Sequence, residues 1–427
     1  MVGLTEFRAK QSSFPEWILY FVIGCIVLNT VHFIPPDYKI GWKLIAYSAL
    51  MALLFFRANG FFSLKKDNRY GWFLIYGAFY WISLVASVDS SQGLSSVVNE
   101  TIVAFALMHL IVLHIDKKGV DGIIFSCFVY CSILVLASVL ISIGLINVNY
   151  YDYGSNELGV DSVELGALRF SGVYSNPNGL GILFSVYAAL LCHYYKRARS
   201  LRAKSIYISL LIFSGIGVAA TLSRAAIVAF SVVIFIYFFL FQSWRGKVYF
   251  VGFALLPLAL FFLFLSSDYL SAGLAREEVF NNRDVIWRDA LGVFEDNFFL
   301  GLGPGMYSYD DGHASFSAHN YYINSLANTG ILVTAAFLFF LISVWRKSYS
   351  LLKSEKKEAD YSFLFSFAFI SSLMIHQFAE SGGFAVFGLQ GVIFFICCGN
   401  VIAASMRARI RRRKERPTSI SINGYSR

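Results

Sequence analysis

The stretch SAHNYYINSLANTGILVTAAFLFFLISVW, Ser317–Trp345, decides the fold class of this chain. Its second half, from Gly330 onward, is an apolar run of about the length that a helix needs to cross a bilayer. Its first half is polar and aromatic and places His319 beside Asn320. The stretch therefore predicts a membrane-spanning helix that follows a segment with a different task.

The rest of the 427-residue chain repeats the apolar pattern. Hydrophobic residues make up 57% of the chain and charged residues only 14%, which leaves too little polar surface for a soluble domain. The apolar runs are continuous rather than alternating, so helices are expected instead of a membrane barrel. The sequence predicts an all-α polytopic membrane protein, a single membrane domain over residues 1–427. Its twelve candidate spans are 16–35, 41–57, 70–87, 98–115, 121–146, 177–196, 205–222, 224–242, 247–266, 330–346, 361–379 and 383–405.

The basic residues orient these spans. If both termini are cytoplasmic, all but seven of the 35 Lys and Arg residues fall in cytoplasmic segments, including the basic tail 406–427. This division follows the positive-inside rule. The net charge of +9 is then explained by topology and anionic lipid head groups, and a nucleic-acid partner is not expected.

Two long connections fall outside the cytoplasm, 147–176 and 267–329. The second contains an amphipathic pattern at 281–296, with Asn281 or Asn282 as a candidate cap. In this pattern the apolar face holds Arg283 together with Trp287, Ala290, Leu291 and Phe294. An arginine at a helix start opposes the helix dipole, so Arg283 is not expected to serve helix stability.

Five arginines break the topology rule on the outer side, among them Arg169, Arg224, Arg283 and Arg288. Guanidinium groups near free helix N–H groups suit a phosphate. Two of these arginines have a structural alternative. Arg224 can reach the interface from the end of a span, and Arg288 lies four residues after Asp284, where a surface ion pair is expected.

His319 has two interpretations. A neutral imidazole can take a proton from a hydroxyl while arginines hold an anionic leaving group. Alternatively, His319 caps the helix that begins with Asn320. The acidic loop around Asp310, Asp311 and His313 lacks a tight metal-ligand spacing, so no metal is expected and activity should survive chelation.

Taken in order, five segments resemble the O-antigen ligase/polymerase superfamily, membrane glycosyltransferases that act on undecaprenyl-linked glycans. They are RFSGVYSNPNGLG, TLSRAAIVAF, NNRDVIWRDAL, FFLGLGPGMY and SAHNYYINSLANTGILV. The ten residues between His319 and Gly330 resemble the signature of the ligase branch, although polymerases show a similar His-Asn segment.

The resemblance implies a GT-C-like helical fold, no cofactor, no metal and no nucleotide sugar. It assigns the pyrophosphate of the donor to Arg224 and Arg283, with Arg169 and Arg288 as further contacts. It makes His319 the base or acceptor-orienting residue, with Asn320 beside it. Glu380 matches an acidic position of some members and is expected to contact a sugar or hold an arginine.

Three activities remain open. A ligase would transfer a finished glycan from undecaprenyl pyrophosphate to a lipid A–core acceptor at the periplasmic face of the bacterial inner membrane. A polymerase would add the growing glycan to a lipid-linked repeat unit. A flippase or transporter should show charged residues within its spans, and few are found here.

Overall fold

The computed structural model describes residues 16–29, 31, 34, 36–57, 68–87, 89–146, 170–174, 176–240, 283–310, 315–354, 361–380, 384 and 388–415. Thirteen α-helices occupy most of these residues. They are α1 (Glu16–Leu28), α2 (Pro36–Arg57), α3 (Asn68–Ser83), α4 (Ser90–Val97), α5 (Ala104–Lys118), α6 (Asp121–Ser142), α7 (Pro177–Arg197), α8 (Leu201–Ala220), α9 (Arg224–Phe235), α10 (Arg283–Asp296), α11 (Tyr321–Ser354), α12 (Tyr361–His376) and α13 (Leu389–Glu415).

Shorter elements complete the described chain. A 3-10 turn, Leu84–Ala86, follows α3, and π-helical segments continue α4 and α9 at Val98–Val103 and Ile236–Leu240. Strands β1 (Tyr309–Asp310) and β2 (Ser315–Phe316) pair antiparallel, Tyr309 opposite Phe316. The described part of the chain is thus an all-α fold with one small hairpin.

The helices have the character expected of a membrane protein. Five are long and apolar enough to cross a bilayer, and three shorter helices are also apolar. Helices occur at eleven of the twelve predicted spans, while the ninth, 247–266, lies outside the described residues. The number of helices that cross the membrane stays a prediction.

Polar caps set where three helices begin at one end of the bundle. The Asn176 side chain accepts a hydrogen bond from the N–H of Asn178, and Pro177 provides a preformed first turn for α7. Ser223 caps α9 in the same way. Asn320 caps α11, because its Oδ1 lies 3.0 Å from the Tyr322 nitrogen. We call this end, where α7, α9 and α11 begin and α12 ends, the site end.

Helix α11 is not straight. In a straight helix Tyr321 and Phe337 would be separated by about 24 Å along the axis, at 1.5 Å per residue. Their rings instead lie 5.4 Å apart, and the hydroxyls of Ser325 and Thr334 lie 2.9 Å apart. The break is at Gly330, whose φ of 69° and ψ of −172° are not helical. Two arms, 321–329 and 331–354, therefore form a V with its apex at Gly330.

The turn around Gly301 locks this apex in place. The N–H groups of Leu302 and Gly303 donate to the carbonyls of Ala327 and Asn328, at 2.9 and 2.8 Å. A Cβ on Gly330 would lie 2.4 Å from the Phe299 backbone, and a Cβ on Gly301 would lie 2.4 Å from the Asn328 backbone. Both glycines have positive φ, so the two backbones meet at a distance that only glycine permits.

Replacing either glycine should destabilise the fold. We expect Gly330→Ala and Gly301→Ala each to cost on the order of 2–4 kcal/mol, because backbone must move and φ is unfavourable for alanine. Thermal melting of the purified protein measures the loss. Gly292→Ala is the matched control, since nothing lies within 4 Å of its Cβ position in α10. A melting temperature for Gly330→Ala equal to that of Gly292→Ala would contradict the tight apex.

Candidate functional site

Glu380 is the centre of a polar cluster at the site end. Its side chain follows the end of α12 and is 16% exposed. The Asn178 side-chain amide donates to Oε1 of Glu380 at 2.7 Å. Arg283 approaches the same oxygen at 3.6 Å, and Nδ1 of His319 lies 3.7 Å from Oε2. One carboxylate thus gathers residues that are distant in the sequence.

Arg283 is held from two sides. As the first residue of α10 its Nη1 donates to the Ala379 carbonyl at 2.9 Å, while Nη2 faces Glu380. The side chain remains 25% exposed. A guanidinium has five N–H donors, so groups remain that can bind an anion from solvent. The arrangement fixes the direction of the fork before any ligand binds.

His319 is positioned by an unusual backbone. Its φ of 46° lies in the left-handed region, which histidine enters more often than most residues but at an energetic cost. The chain thereby turns sharply just before Asn320 caps α11. The imidazole is 31% exposed, with Nδ1 toward Glu380. Among the described residues, no hydrogen bond is found at its Nε2.

The start of α11 is also fastened to the end of α12 through the backbone. The Tyr321 N–H donates to the carbonyls of Gln377, at 2.9 Å, and Glu380, at 3.2 Å. The Tyr322 hydroxyl donates to the Met374 carbonyl at 2.8 Å. His319 and Glu380 therefore belong to segments that are tied together independently of their side chains.

A small core outside the main bundle anchors α10. Ile286 and Ala290 pack with Tyr307, Ala318 and Ala327. The Trp287 indole donates to the Ala318 carbonyl at 2.7 Å, next to His319. This bond joins the helix that carries Arg283 to the segment that carries His319.

Tyr307 adds a second anchor. Its hydroxyl lies 3.0 Å from both the Ile286 carbonyl and Oδ2 of Asp289. Burial, and then the bond to the Asp289 carboxylate, raise the pKa of Tyr307 above its usual value, so the hydroxyl stays protonated and can donate. The anchor is therefore kept at neutral pH.

The buried face of α10 differs from the sequence prediction. Ile286 and Ala290 are buried, whereas Leu291 is 39% exposed. The predicted face of Arg283, Trp287, Ala290, Leu291 and Phe294 is therefore rotated. The reason is that the Trp287 indole and the Tyr307 hydroxyl fix the helix by hydrogen bonds, and pattern alone does not include them.

Arg224 and Arg169, the other arginines assigned to the pyrophosphate, have no described contact with Glu380. Arg224 begins α9 at the site end and is exposed. The Ser372 hydroxyl bonds the Ala229 carbonyl, so the start of α9 lies level with the end of α12, where Glu380 follows. Arg169 lies outside the described residues.

The predicted ion pair between Arg288 and Asp284 is not found in the described part of the chain. Arg288 and Asp284 are both exposed. The spacing of four residues permits a pair, but two solvated side chains gain little by forming one.

Two asparagines have unexpected roles. Asn320, predicted to bind substrate, is 5% exposed, and its side-chain oxygen caps α11 through the N–H groups of Tyr322 and Ile323. Asn178, which the sequence analysis does not single out, donates to Glu380. The position of Asn178 could have indicated this role. It lies two residues after the cap Asn176, in the first turn of α7, where a side chain can reach the end of the bundle. Among the described residues, no group of three or more His, Cys, Asp or Glu side chains is placed to hold a metal ion.

One comparison with known proteins bears on this geometry. Residues 208–338 match a family model described as O-antigen ligase. The matched range covers α9, α10 and the part of α11 around its apex, and thus contains Arg224, Arg283, His319 and Gly330. It supports the O-antigen ligase/polymerase superfamily. No curated protein matches the chain.

The hydrogen bond from the Trp287 indole to the Ala318 carbonyl should protect α10 against local unfolding. Trp287→Phe keeps the aromatic ring and removes the donor to Ala318, a loss of about 1 kcal/mol. We expect amide hydrogen exchange over 283–296 to accelerate roughly fivefold, as measured by mass spectrometry. Trp72→Phe is the control, because Trp72 stacks on Phe339 at 5.1 Å in another part of the bundle. Equal exchange over 283–296 in both variants would refute the anchor.

Proposed function

We propose that this chain is an O-antigen ligase-type glycosyltransferase, and the match of residues 208–338 to the O-antigen ligase family model supports the proposal. It transfers a glycan from undecaprenyl pyrophosphate to a lipid A–core acceptor. The reaction takes place at the periplasmic face of the bacterial inner membrane, with both termini in the cytoplasm. It needs neither a metal nor a nucleotide sugar.

The observation that carries the proposal is the shared carboxylate. Glu380 lies within 4 Å of both a cation, Arg283, and a potential base, His319, at one end of an apolar helix bundle. A phosphorylated lipid donor presents its leaving group at such a membrane surface. The cluster offers an anion-binding group and a proton acceptor at adjacent positions.

Arg283 is assigned to the pyrophosphate. Its contacts with Ala379 and Glu380 fix the guanidinium, and its remaining N–H groups can form two parallel bonds to phosphate oxygens. Arg224, exposed at the same end, supplies a second positive charge, and Arg169 is proposed as a further contact. Arginines can stabilise the leaving pyrophosphate without a metal.

His319 is assigned to the acceptor. With its Nδ1 directed toward Glu380, the neutral imidazole carries its hydrogen on Nδ1 and presents a lone pair at Nε2. The distance of 3.7 Å shortens to a hydrogen bond when substrates close the site, as is common for catalytic pairs. The left-handed backbone at His319 keeps the ring in this place.

The chemical step is a displacement at the anomeric carbon. The acceptor hydroxyl oxygen forms a bond to that carbon as the bond to the pyrophosphate oxygen breaks. The electron pair leaves with undecaprenyl pyrophosphate, whose charge Arg283 and Arg224 stabilise. The hydroxyl proton passes to Nε2 of His319. Attack opposite the leaving group inverts the anomeric configuration.

The ligase and polymerase branches predict different lipopolysaccharide in cells. Both use this donor, and the family match covers both. Deletion of a ligase should leave bare lipid A–core and accumulated lipid-linked polymer on a gel. Deletion of a polymerase should leave core that carries one repeat unit. The second pattern would replace the ligase assignment by the polymerase assignment.

The fork geometry of Arg283 can be separated from its charge. Lysine keeps the charge but loses the two parallel donors. We expect Arg283→Lys to lose most of the transfer activity and Arg283→Ala nearly all of it, a decrease of roughly thirty- to thousandfold for 2–4 kcal/mol. His319→Ala should lose transfer while donor binding is largely kept. The measurement uses purified protein, a lipid-pyrophosphate donor and parallel transfer and binding assays.

Arg288→Ala is the matched control, because Arg288 is an exposed arginine on the same helix and lies about 140° around the helix axis from Arg283. It should show a milder loss than Arg283→Ala. If Arg283→Lys transfers as fast as the parent protein, the fork assignment is wrong. If His319→Ala abolishes donor binding while Arg283→Ala keeps it, the two roles are reversed.

A further inference from the structure

A second polar cluster surrounds Glu100. This residue lies in the π-helical segment Val98–Val103, inside the long apolar helix Gly93–Lys118. Widened π turns occur often at functional sites. An ionisable residue within a membrane helix is costly and usually has a function. Glu100 belongs to no contact of the Glu380 cluster described above.

Three tyrosines are neighbours of Glu100. Tyr76, Tyr80 and Tyr321 each interact electrostatically with its carboxylate. The Tyr76 and Tyr80 rings lie 5.6 Å apart, and the rings of Tyr76 and Tyr321 both pack on Phe337, at 5.3 and 5.4 Å. Glu100 and the three tyrosines therefore form one connected group.

A stripe on α2 extends this group. Lys39, Lys43 and Tyr47 recur at intervals of four residues and so share one face. Lys39 is only 4% exposed and interacts with Lys43, and Tyr47 interacts with Glu100. The lysines thus lie on the side of α2 that faces the bundle, one and two turns from Tyr47, which interacts electrostatically with Glu100.

The cluster adjoins the proposed active site. Tyr321 stands two residues after His319, and its backbone N–H bonds the Glu380 carbonyl. The glycine-rich turn reinforces the junction, because a Cβ on Gly303 would lie 2.3 Å from Cα of Ser87, just beyond α3. The Trp81 indole also donates to Thr101 at 3.0 Å, which ties the π-helical segment to α3.

Packing alone does not account for this composition. Hydrogen-bonded tyrosines are sufficient to join helices in a membrane, at a modest gain of about 1 kcal/mol. Two lysines and a glutamate on neighbouring apolar helices are costly to desolvate, and such residues usually have a function. Their chemistry instead suits a ligand: ammonium groups for phosphate, aromatic faces for sugar rings, and a carboxylate that accepts bonds from sugar hydroxyls.

We propose that Lys39, Lys43, Tyr76, Tyr80 and Glu100 form the acceptor subsite, which binds the phosphate-bearing, hydroxyl-rich head group of a glycolipid. This inference rests on the proposed function. Arg283 and Arg224 hold the donor on one side of His319, and the Glu100 cluster holds the acceptor on the other. The accepting hydroxyl is thereby presented to Nε2 of His319.

The test uses Lys43→Gln, Tyr80→Phe and Glu100→Gln in the full-length protein, since Lys43, Tyr80 and Glu100 are only partly buried. Steady-state transfer is measured against acceptor and donor concentration, beside the acceptor-independent hydrolysis of the donor by water. We expect the acceptor KM to rise about tenfold or more in Lys43→Gln and Glu100→Gln, as loss of a charged hydrogen bond implies. The donor KM and the hydrolysis rate should stay within about twofold of the parent values, because donor contacts are retained.

Lys353→Gln is the matched control, a lysine near the opposite end of α11 that should leave all values unchanged. Lipid A–core and a lipid-linked repeat unit are tested as separate acceptors, and the one whose KM rises identifies the head group. An unchanged acceptor KM, or a proportional fall in donor hydrolysis, would overturn the subsite.

Direct binding separates this inference from the proposed function. Each acceptor glycolipid is titrated against the full-length protein without donor. If the parent protein binds it and Glu100→Gln does not, the subsite stands even when no transfer is found. If the parent protein transfers glycan and Glu100→Gln binds the acceptor normally, the subsite fails and the transferase assignment remains.

Discussion

The carboxylate of Glu380 is the interaction on which the site depends. A mostly buried negative charge is costly unless cations and donors surround it, and here Asn178, Arg283 and His319 do so. The dependence is mutual, because Glu380 also fixes the direction of the guanidinium and of the imidazole. Removing the charge would free both functional groups at once. A site built in this way is ordered before substrate arrives, which lowers the cost of reaching the reactive geometry.

A second constraint is steric. The V of α11 places His319 at the open end of its shorter arm, and this shape exists because Gly301 and Gly330 let two backbones touch. The same glycine-rich turn approaches Ser87 and Ser96 near α4 through Gly303 and Gly305. The residues that match the family model are thus connected to helices outside the matched range. This connection explains how α2, α3 and the π-helical segment can contribute to a reaction centred on α10 and α11.

Sequence reasoning was most successful where a local rule decides the outcome. Continuous apolar runs predicted twelve spans, and helices are found at eleven of them. It failed where long-range contacts decide. The V at Gly330 cannot be deduced from periodicity, because both arms are helical and only the contact with Gly301 identifies the reversal. Asn178 was missed for the same reason: its partner Glu380 is 202 residues away. The place of Lys39 and Lys43 could not be predicted either, because their inward direction depends on the packing of α2.

The most direct test of the account is a double-mutant cycle between Glu380 and His319. Transfer kcat/KM is measured for the parent protein, Glu380→Gln, His319→Ala and the combined variant. If Glu380 acts by orienting the imidazole, Glu380→Gln should cost much less in the His319→Ala background than in the parent protein, with a coupling of about 1–3 kcal/mol. Additive losses would contradict the account, because they would show that the carboxylate and the histidine act independently.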